Sequence, residues 1–474
     1  MFRLHDTPVR LCQGMTRREM LRAGGLGALG LGLDGLLRGR AASAAAEAAP
    51  SAGVLSKPRG GKAKSVIVLF FLGGPPQHET WDPKPEAPAE IRGDFKAIES
   101  AVPGIRVGEL MPKTAKLMKH IAVLRGCYTG DNAHSTSGYA ICTGTSHLPL
   151  GQEGAKPGAP NNFPNWGGVV RQIRKDAGGL PAAVTLPEIA ANDGGKTWPG
   201  QDAGFLGRGA DPWLLDCDPS KPDFTVPDLA PAPGVSAERH AGRLSLLKRV
   251  DRAVAAAERG GVVEQFDAWQ HKAFDLVSSS KARSAFDLSH EPDELRDRYG
   301  RTRFGQSALL ARRLVEAGVS LVQVNWTRLE KAPNNGHWDT HAKNSESLKN
   351  WLMPPMDQTY STLLEDLASR GMLDETLVVW MGEFGRSPKV NAAGGRDHWG
   401  NVFSIALAGG GVKGGQVYGA SDRHAAEPTA GRVGPADFTA TLYHAMGIDP
   451  AAEVKDTSGR PLPVSRGTPV YAIF

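Results

Sequence analysis

Histidines and carboxylates recur in this chain in short clusters that abut apolar runs. GHWDTH at 336–341 places His337, Asp339 and His341 within five positions, soon after VSLVQVNW. GGPPQHETWDPKP brings His78, Glu79 and Asp82 after SVIVLFF, and GEFGRSP brings Glu383 and Arg386 after TLVVWM. GGRDHWGN sets Asp397 and His398 just before VFSIALAGGG. Neutral imidazole and carboxylate are the ligands a divalent ion takes, and such an ion needs three or four of them converging from different segments. A lone loop histidine such as His78 is more often simply solvated, and Glu383 could equally pair with Arg386. Four clusters at the ends of four apolar runs nevertheless favour a metal site over four separate accidents. Arg386 and Arg396 lie close by in sequence, and a guanidinium fork suits a tetrahedral oxyanion such as phosphate or sulfate.

For these groups to meet, the apolar runs must be neighbouring strands. SVIVLFFLGG (65–74), IAVLRG (121–126), VSLVQVNW (319–326), TLVVWMGEFGR (376–386) and VFSIALAGGG (402–411) each pass from a continuous apolar stretch into polar or Gly-rich residues. That is the signature of strands buried on both faces of a parallel sheet. Helical stretches at 307–318, at roughly 346–370 and at about 435–446 alternate with them. The expected fold is α/β: a doubly wound, mostly parallel sheet flanked by helices, with its site in the loops at the strand carboxyl ends. Residues from about 150 to 300 break the pattern, and they read as a loop-rich insertion or cap on a single domain spanning 65–474.

Charge is concentrated at one end of the chain. The net charge is +5, but residues 1–44 hold seven Arg and three acidic residues, leaving 48 basic against 47 acidic in the remainder. The main domain therefore offers no case for nucleic acid or a membrane surface. Arg17 and Arg18 precede a mildly apolar, Gly-rich segment that ends in ASA at 42–44. That order matches a twin-arginine (Tat) export signal, followed by a linker at 45–64. Asp34 and the glycines make the segment too polar for a stable membrane span. The Tat translocase is thus an expected partner, and the mature chain is expected in the periplasm or outside the cell. Cys127, Cys142 and Cys217 are an odd number beyond the signal, so no disulfide framework is expected.

In order along the chain, GGPPQHETWDPKP, HSTSGYAICTG, GHWDTHAKN, MGEFGRSP and GRDHWGN followed by ALAGGGVKGGQVYG resemble the bacterial domain-of-unknown-function family 1501. The similarity spans roughly 60–450. That family looks like a branch of the alkaline phosphatase and sulfatase superfamily, which implies one or two divalent ions (zinc, manganese, magnesium or calcium) and a small anionic ester or sulfated glycan as substrate. By that resemblance Asp339, His341 and His398 form one metal site, and Glu383 with His78 or Asp82 forms a second. The superfamily nucleophile stands at the start of a helix ending in Thr-Gly. Thr143-Gly144 fits that ending, and counting back nine residues reaches His134, with Ser135 next to it. His134, Ser135 and Arg386 are accordingly the expected catalytic residues. The resemblance implies a metal-dependent hydrolase of phosphate or sulfate esters. A histidine at the nucleophile position also suits a phosphomutase or phosphotransferase, and a degenerate site would suit a non-catalytic protein that binds an anionic glycan or a partner. The chain departs from the superfamily spacing in having Asp339 and His341 two apart rather than four, and in having Glu383-Phe384 where an Asp-His pair is usual. CDPSK at 217–221 resembles a sulfatase signature but lies in a Pro- and Asp-rich stretch far from the Thr-Gly helix.

Overall fold

The computed structural model describes residues 61–226, Gly242 and residues 279–474. Residues 1–44, where a Tat-type signal is expected, and most of the expected linker lie outside these residues, as does much of the 150–300 segment. Eight strands form the central sheet: Ser65–Phe70 (β1), Ile121–Cys127 (β2), Ala183–Leu186 (β3), Trp213–Leu214 (β4), Leu321–Asn325 (β5), Thr376–Met381 (β6), Phe403–Ala408 (β7) and Gln416–Tyr418 (β8). Their spatial order is β8-β2-β7-β6-β1-β5-β3-β4. β1 sits between β5 and β6 and pairs parallel with both, Val66 opposite Leu321 and Leu377. The expected doubly wound, mostly parallel sheet is the one observed.

Every residue of β1 is buried, because both faces of the sheet are covered. Ile67 and Leu69 enter one apolar cluster, while Val66, Val68 and Phe70 enter another on the opposite side. Each such side chain stabilises the fold by roughly 1.5–3 kcal/mol relative to exposure. The five main helices are His134–Thr143 (α1), Trp166–Ile173 (α2), Arg303–Glu316 (α3), Met353–Ser369 (α4) and Pro435–Ala445 (α5). Thr302 caps α3 by accepting the Gly305 N–H at 3.0 Å. The stretch leading into α4 passes through a π turn at Leu348–Leu352. Pro354 and Pro355 follow at once, and neither can donate the hydrogen bond that a regular α-helical turn requires there.

Two features of the sheet decide what meets at its edge. β7 runs antiparallel to both neighbours, with Ala406 opposite Trp380 and Val123. A reversed strand begins where its neighbours end, so GGRDHWGN, which precedes β7, joins the loops that follow β1, β5 and β6. The part of the 150–300 segment that is described supplies α2, β3 and β4. It therefore extends the sheet as well as contributing loops. Cys127, Cys142 and Cys217 are free and buried, in keeping with the absence of a disulfide framework. No helix among the described residues is long and apolar enough to cross a membrane.

Candidate metal centre

Helix α1 begins at His134, and the local sequence fixes where that first side chain points. Asp131 Oδ1 accepts the Ala133 N–H at 2.9 Å, and Glu153 Oε1 accepts the His134 N–H at 2.7 Å. These bonds satisfy orphan donors at the helix start. Gly138, one turn on, lets Trp198 approach: a Cβ there would stand 2.5 Å from the indole. The His134 ring lies nearly parallel to Trp198, with centroids 5.9 Å apart, and touches Phe384 at 4.9 Å.

His134, Asp339 and His398 bring their ligand atoms within 4.8 Å of one another, and His341 reaches the same carboxylate from the open side. Asp339 Oδ1 lies 2.9 Å from His398 Nε2 and 3.0 Å from His341 Nε2, and Asp339 Oδ2 lies 3.3 Å from His134 Nε2. The Nε2 atoms of His341 and His398 are 2.8 Å apart. Zinc–nitrogen bonds near 2.0–2.1 Å imply ligand atoms about 3.3 Å from one another in a tetrahedral site. These separations are near that value.

The outward nitrogen of each ring explains why the inward ones converge. His134 Nδ1 is 2.6 Å from Glu383 Oε1, His341 Nδ1 is 3.1 Å from Asp397 Oδ1, and His398 Nδ1 is 2.6 Å from the Asn132 carbonyl. An acceptor at Nδ1 holds the proton there in the neutral ring and leaves the Nε2 lone pair facing inward, the arrangement that metal-bound histidines use. Inward-facing lone pairs beside a carboxylate repel one another unless a ring proton or a cation sits among them. Electrostatics follow the same geometry. Burial opposes ionisation of Asp339, but the Arg386 guanidinium and the three imidazoles hold its carboxyl far below the usual range. Burial likewise opposes charge on His134, yet bonds to Asp339 and Glu383 push it up to about 9. Burial lowers His398.

Glu383 and Arg386 act one layer behind. Glu383 is fully buried, and its Oε1 also accepts the Gly73 N–H at 2.9 Å. Arg386 was expected to face an anion. Instead it is fully buried, donating to Asp339 Oδ1 at 2.5 Å, to the Gly74 carbonyl at 3.0 Å, to the Arg396 carbonyl at 3.1 Å and to the Gly73 carbonyl. Arg396 is turned inward too, donating to Glu79 Oε1 at 2.6 and 2.9 Å. His78 and Asp82 find partners elsewhere, although His78 Nδ1 is buried without one. His78 Nε2 meets the His424 carbonyl at 2.8 Å, and burial lowers that ring to about 3. Asp82 pairs with Lys84 at 3.0 Å and Arg125 at 3.5 Å. Ser135 is fully buried, with its Oγ accepting from the Gly154 N–H at 2.9 Å and Asn192 at 3.1 Å.

Gly73 is the backbone hinge of this layer. It has φ +110°, and a Cβ there would come within 2.4 Å of the Asp339 nitrogen. Gly73→Ala is expected to destabilise the fold by at least about 1–3 kcal/mol from the backbone conformation alone, read by chemical denaturation. It should also weaken metal binding by displacing Asp339.

A cavity of about 420 Å³ opens onto the cluster, lined by His134, Asp339, His341 and His398 together with Glu153, Asn192 and other residues. His341 is the most exposed of the four candidate ligands, its side chain 44 % accessible, so access to the centre is from its side. His337, the remaining histidine of GHWDTH, lines the wall with a buried Nε2 that has no hydrogen-bond partner, and burial lowers that ring to about 4. Glu153, Asn192 and Trp198 were not anticipated. They come from loops without periodicity, and KTWPG was the one local signal there, an aromatic residue among turn formers.

The family model described as a protein of unknown function, DUF1501, matches residues 63–474. No curated protein sequence matches the chain. Among solved structures it is similar to the PsFucS1 sulfatase from Pseudoalteromonas sp., with 14% identity, a TM-score of 0.38, and 87% of this chain and 71% of that one covered. It is also similar to the phosphonate monoester hydrolase of Agrobacterium radiobacter, with 11% identity, a TM-score of 0.35, and coverage of 86% and 76%. A third is the lipoteichoic acid synthase LtaP from Listeria monocytogenes, with 10% identity, a TM-score of 0.40, and coverage of 84% and 76%.

Proposed function

The chain belongs to the DUF1501 family, and for this member we propose metal-dependent hydrolysis of phosphate or sulfate esters. The observation that carries this reading is the convergence of His134, His341 and His398 Nε2 on Asp339 at the floor of an open cavity. Three imidazoles and one carboxylate favour zinc or manganese over magnesium and calcium, which prefer oxygen ligands. When bound, such an ion polarises an ester oxygen and neutralises charge that develops on it. The protein's share is orientation. Glu383 fixes the His134 ring, Asp397 and the Asn132 carbonyl fix His341 and His398, and Arg386 fixes Asp339. The substrate proposed is a small anionic ester or a sulfated glycan.

The test is a panel of sulfate and phosphate esters assayed after removal of metal and after adding back each ion. Zinc or manganese should restore turnover and raise the melting temperature, whereas magnesium and calcium should do neither. An enzyme equally active after exhaustive chelation would remove the metal from the mechanism.

We also propose that the chain is exported by the Tat route, on the strength of Arg17 and Arg18 ahead of the Gly-rich segment. Replacing both with Lys should leave the precursor uncleaved inside the cell, visible by fractionation and immunoblotting. Export unaffected by that change would point to another route.

A further inference from the structure

The cavity wall raises the question of what attacks the ester. Among the described residues, no serine, threonine, cysteine, lysine or tyrosine lines the cavity. Ser135 is fully buried, and its Oγ is occupied by the Gly154 N–H and by the side chain of Asn192, which itself lines the cavity. Ser137, also fully buried, donates to the Glu383 carbonyl at 2.7 Å. The carboxylates on the wall are engaged: Glu153 accepts from the His134 N–H and from Asn192, Asp193 pairs with Arg328 and accepts from Asn335, and Asp339 sits inside the cluster. The remaining nucleophile at hand is an imidazole, and the four rings there differ in their freedom.

His134 is the least free. Its Nδ1 rests 2.6 Å from Glu383 Oε1 and its Nε2 faces Asp339 Oδ2 at 3.3 Å. Trp198 on one side and Phe384 and His398 on the others leave the ring no room to swing. A covalent adduct on His134 Nε2 would have to form between the ring and its own partners in the cluster. His341 and His398 face the same point, so an adduct on either would meet the same obstruction. His337 is only 9 % exposed, and its buried Nε2 has no hydrogen-bond partner that could take up a proton and activate the ring.

We propose that water attacks the ester directly, in a single displacement, and that His134 serves as a metal ligand that carries no covalent adduct. The water oxygen forms the new bond to phosphorus or sulfur as the bond to the alcohol oxygen breaks. One water proton ends on the departing alcohol and the other stays on the released acid, so the reaction balances with no co-reactant. This inference rests on the hydrolase reading above and adds the identity of the attacking group.

The test uses the exported chain after metal removal, titrated with zinc by calorimetry. Wild type should take one ion per chain, and both His134→Ala and His134→Gln should weaken binding by at least about a hundredfold. Ser135→Ala should stay within about threefold of wild type. Circular dichroism of each variant checks that it is folded. If both His134 variants bind zinc as wild type does, His134 is not a ligand and the inference falls, while the hydrolase reading stands. In a second arm, zinc-loaded wild type turning over bis(4-nitrophenyl) phosphate is quenched in neutral denaturant and its peptides are weighed. No phosphoryl adduct should be found, and one on the peptide bearing His134 or Ser135 would overturn the single displacement. If zinc binds through His134 but no ester on the panel is cleaved, the hydrolase reading fails and takes the displacement step with it, leaving the ligand role in place.

Discussion

Asp339→Asn should abolish stoichiometric zinc binding, raising the dissociation constant by at least about a thousandfold, and should reduce ester hydrolysis to background. Asp339 is the atom-sharing centre of the cluster. Its Oδ1 stands 2.9 Å from His398, 3.0 Å from His341 and 2.5 Å from Arg386, and its Oδ2 stands 3.3 Å from His134. Loss of any one imidazole removes one ligand, whereas loss of this carboxylate removes the only fixed negative charge among the four. Asparagine keeps the shape and one acceptor oxygen for Arg386, so the variant separates charge from packing. Calorimetric titration of metal-free protein with zinc reads the effect, and urea denaturation of the same samples should show the fold retained. Zinc bound at wild-type affinity in Asp339→Asn would mean that the convergence of side chains is a hydrogen-bonded network without an ion.

The elements of the fold were legible because burial on both sheet faces leaves a strong mark. β1, β5, β6 and β7 are near-continuous apolar runs, and a strand covered on both faces buries six consecutive residues such as Ser65–Phe70 together. The direction of β7 was not legible, because an apolar run reads the same whichever way it lies. That direction brings His398 to the cluster. Within GHWDTH, Asp339 and His341 reach the centre while His337 stops in the cavity wall, a distinction set by backbone geometry after Gly336, φ +67°. The pairing of His134 with Glu383 spans 249 residues, and no local pattern encodes a contact of that range. His78 and Asp82 have the same residue types and the same strand-end setting as the cluster members. What separates them is the company they keep: a carbonyl for His78, and Lys84 and Arg125 for Asp82.

Arginine burial was the least legible feature, and it sets up the second large effect. In GEFGRSP, Arg386 reads as a loop cation ready to meet an anion. The structure instead folds it under the first strand-end loop, where Gly73 and Gly74, at φ +110° and +82°, turn their carbonyls toward the guanidinium. Gln77 locks the same residue through its backbone, accepting the Arg386 N–H at 2.9 Å and donating to its carbonyl at 2.8 Å. Arg386→Met keeps the volume of the stem but strands the Gly73, Gly74 and Arg396 carbonyls and leaves Asp339 without its cation. Asp339 is itself one-third accessible, so the cost falls mainly on the stranded carbonyls, about 1–3 kcal/mol for each buried acceptor left unpaired, and denaturant titration of metal-free protein should read a loss of several kcal/mol with the slope unchanged. Arg386→Lys should recover part of it, since one ammonium can replace the charge but cannot span four acceptors. The two outcomes carry opposite functional meanings. A loss of several kcal/mol fixes Arg386 as a positioning residue that acts on substrate through Asp339. A loss below about 1 kcal/mol, the range of exposed ion pairs, would return its guanidinium to the cavity as a direct brace for the ester's charge.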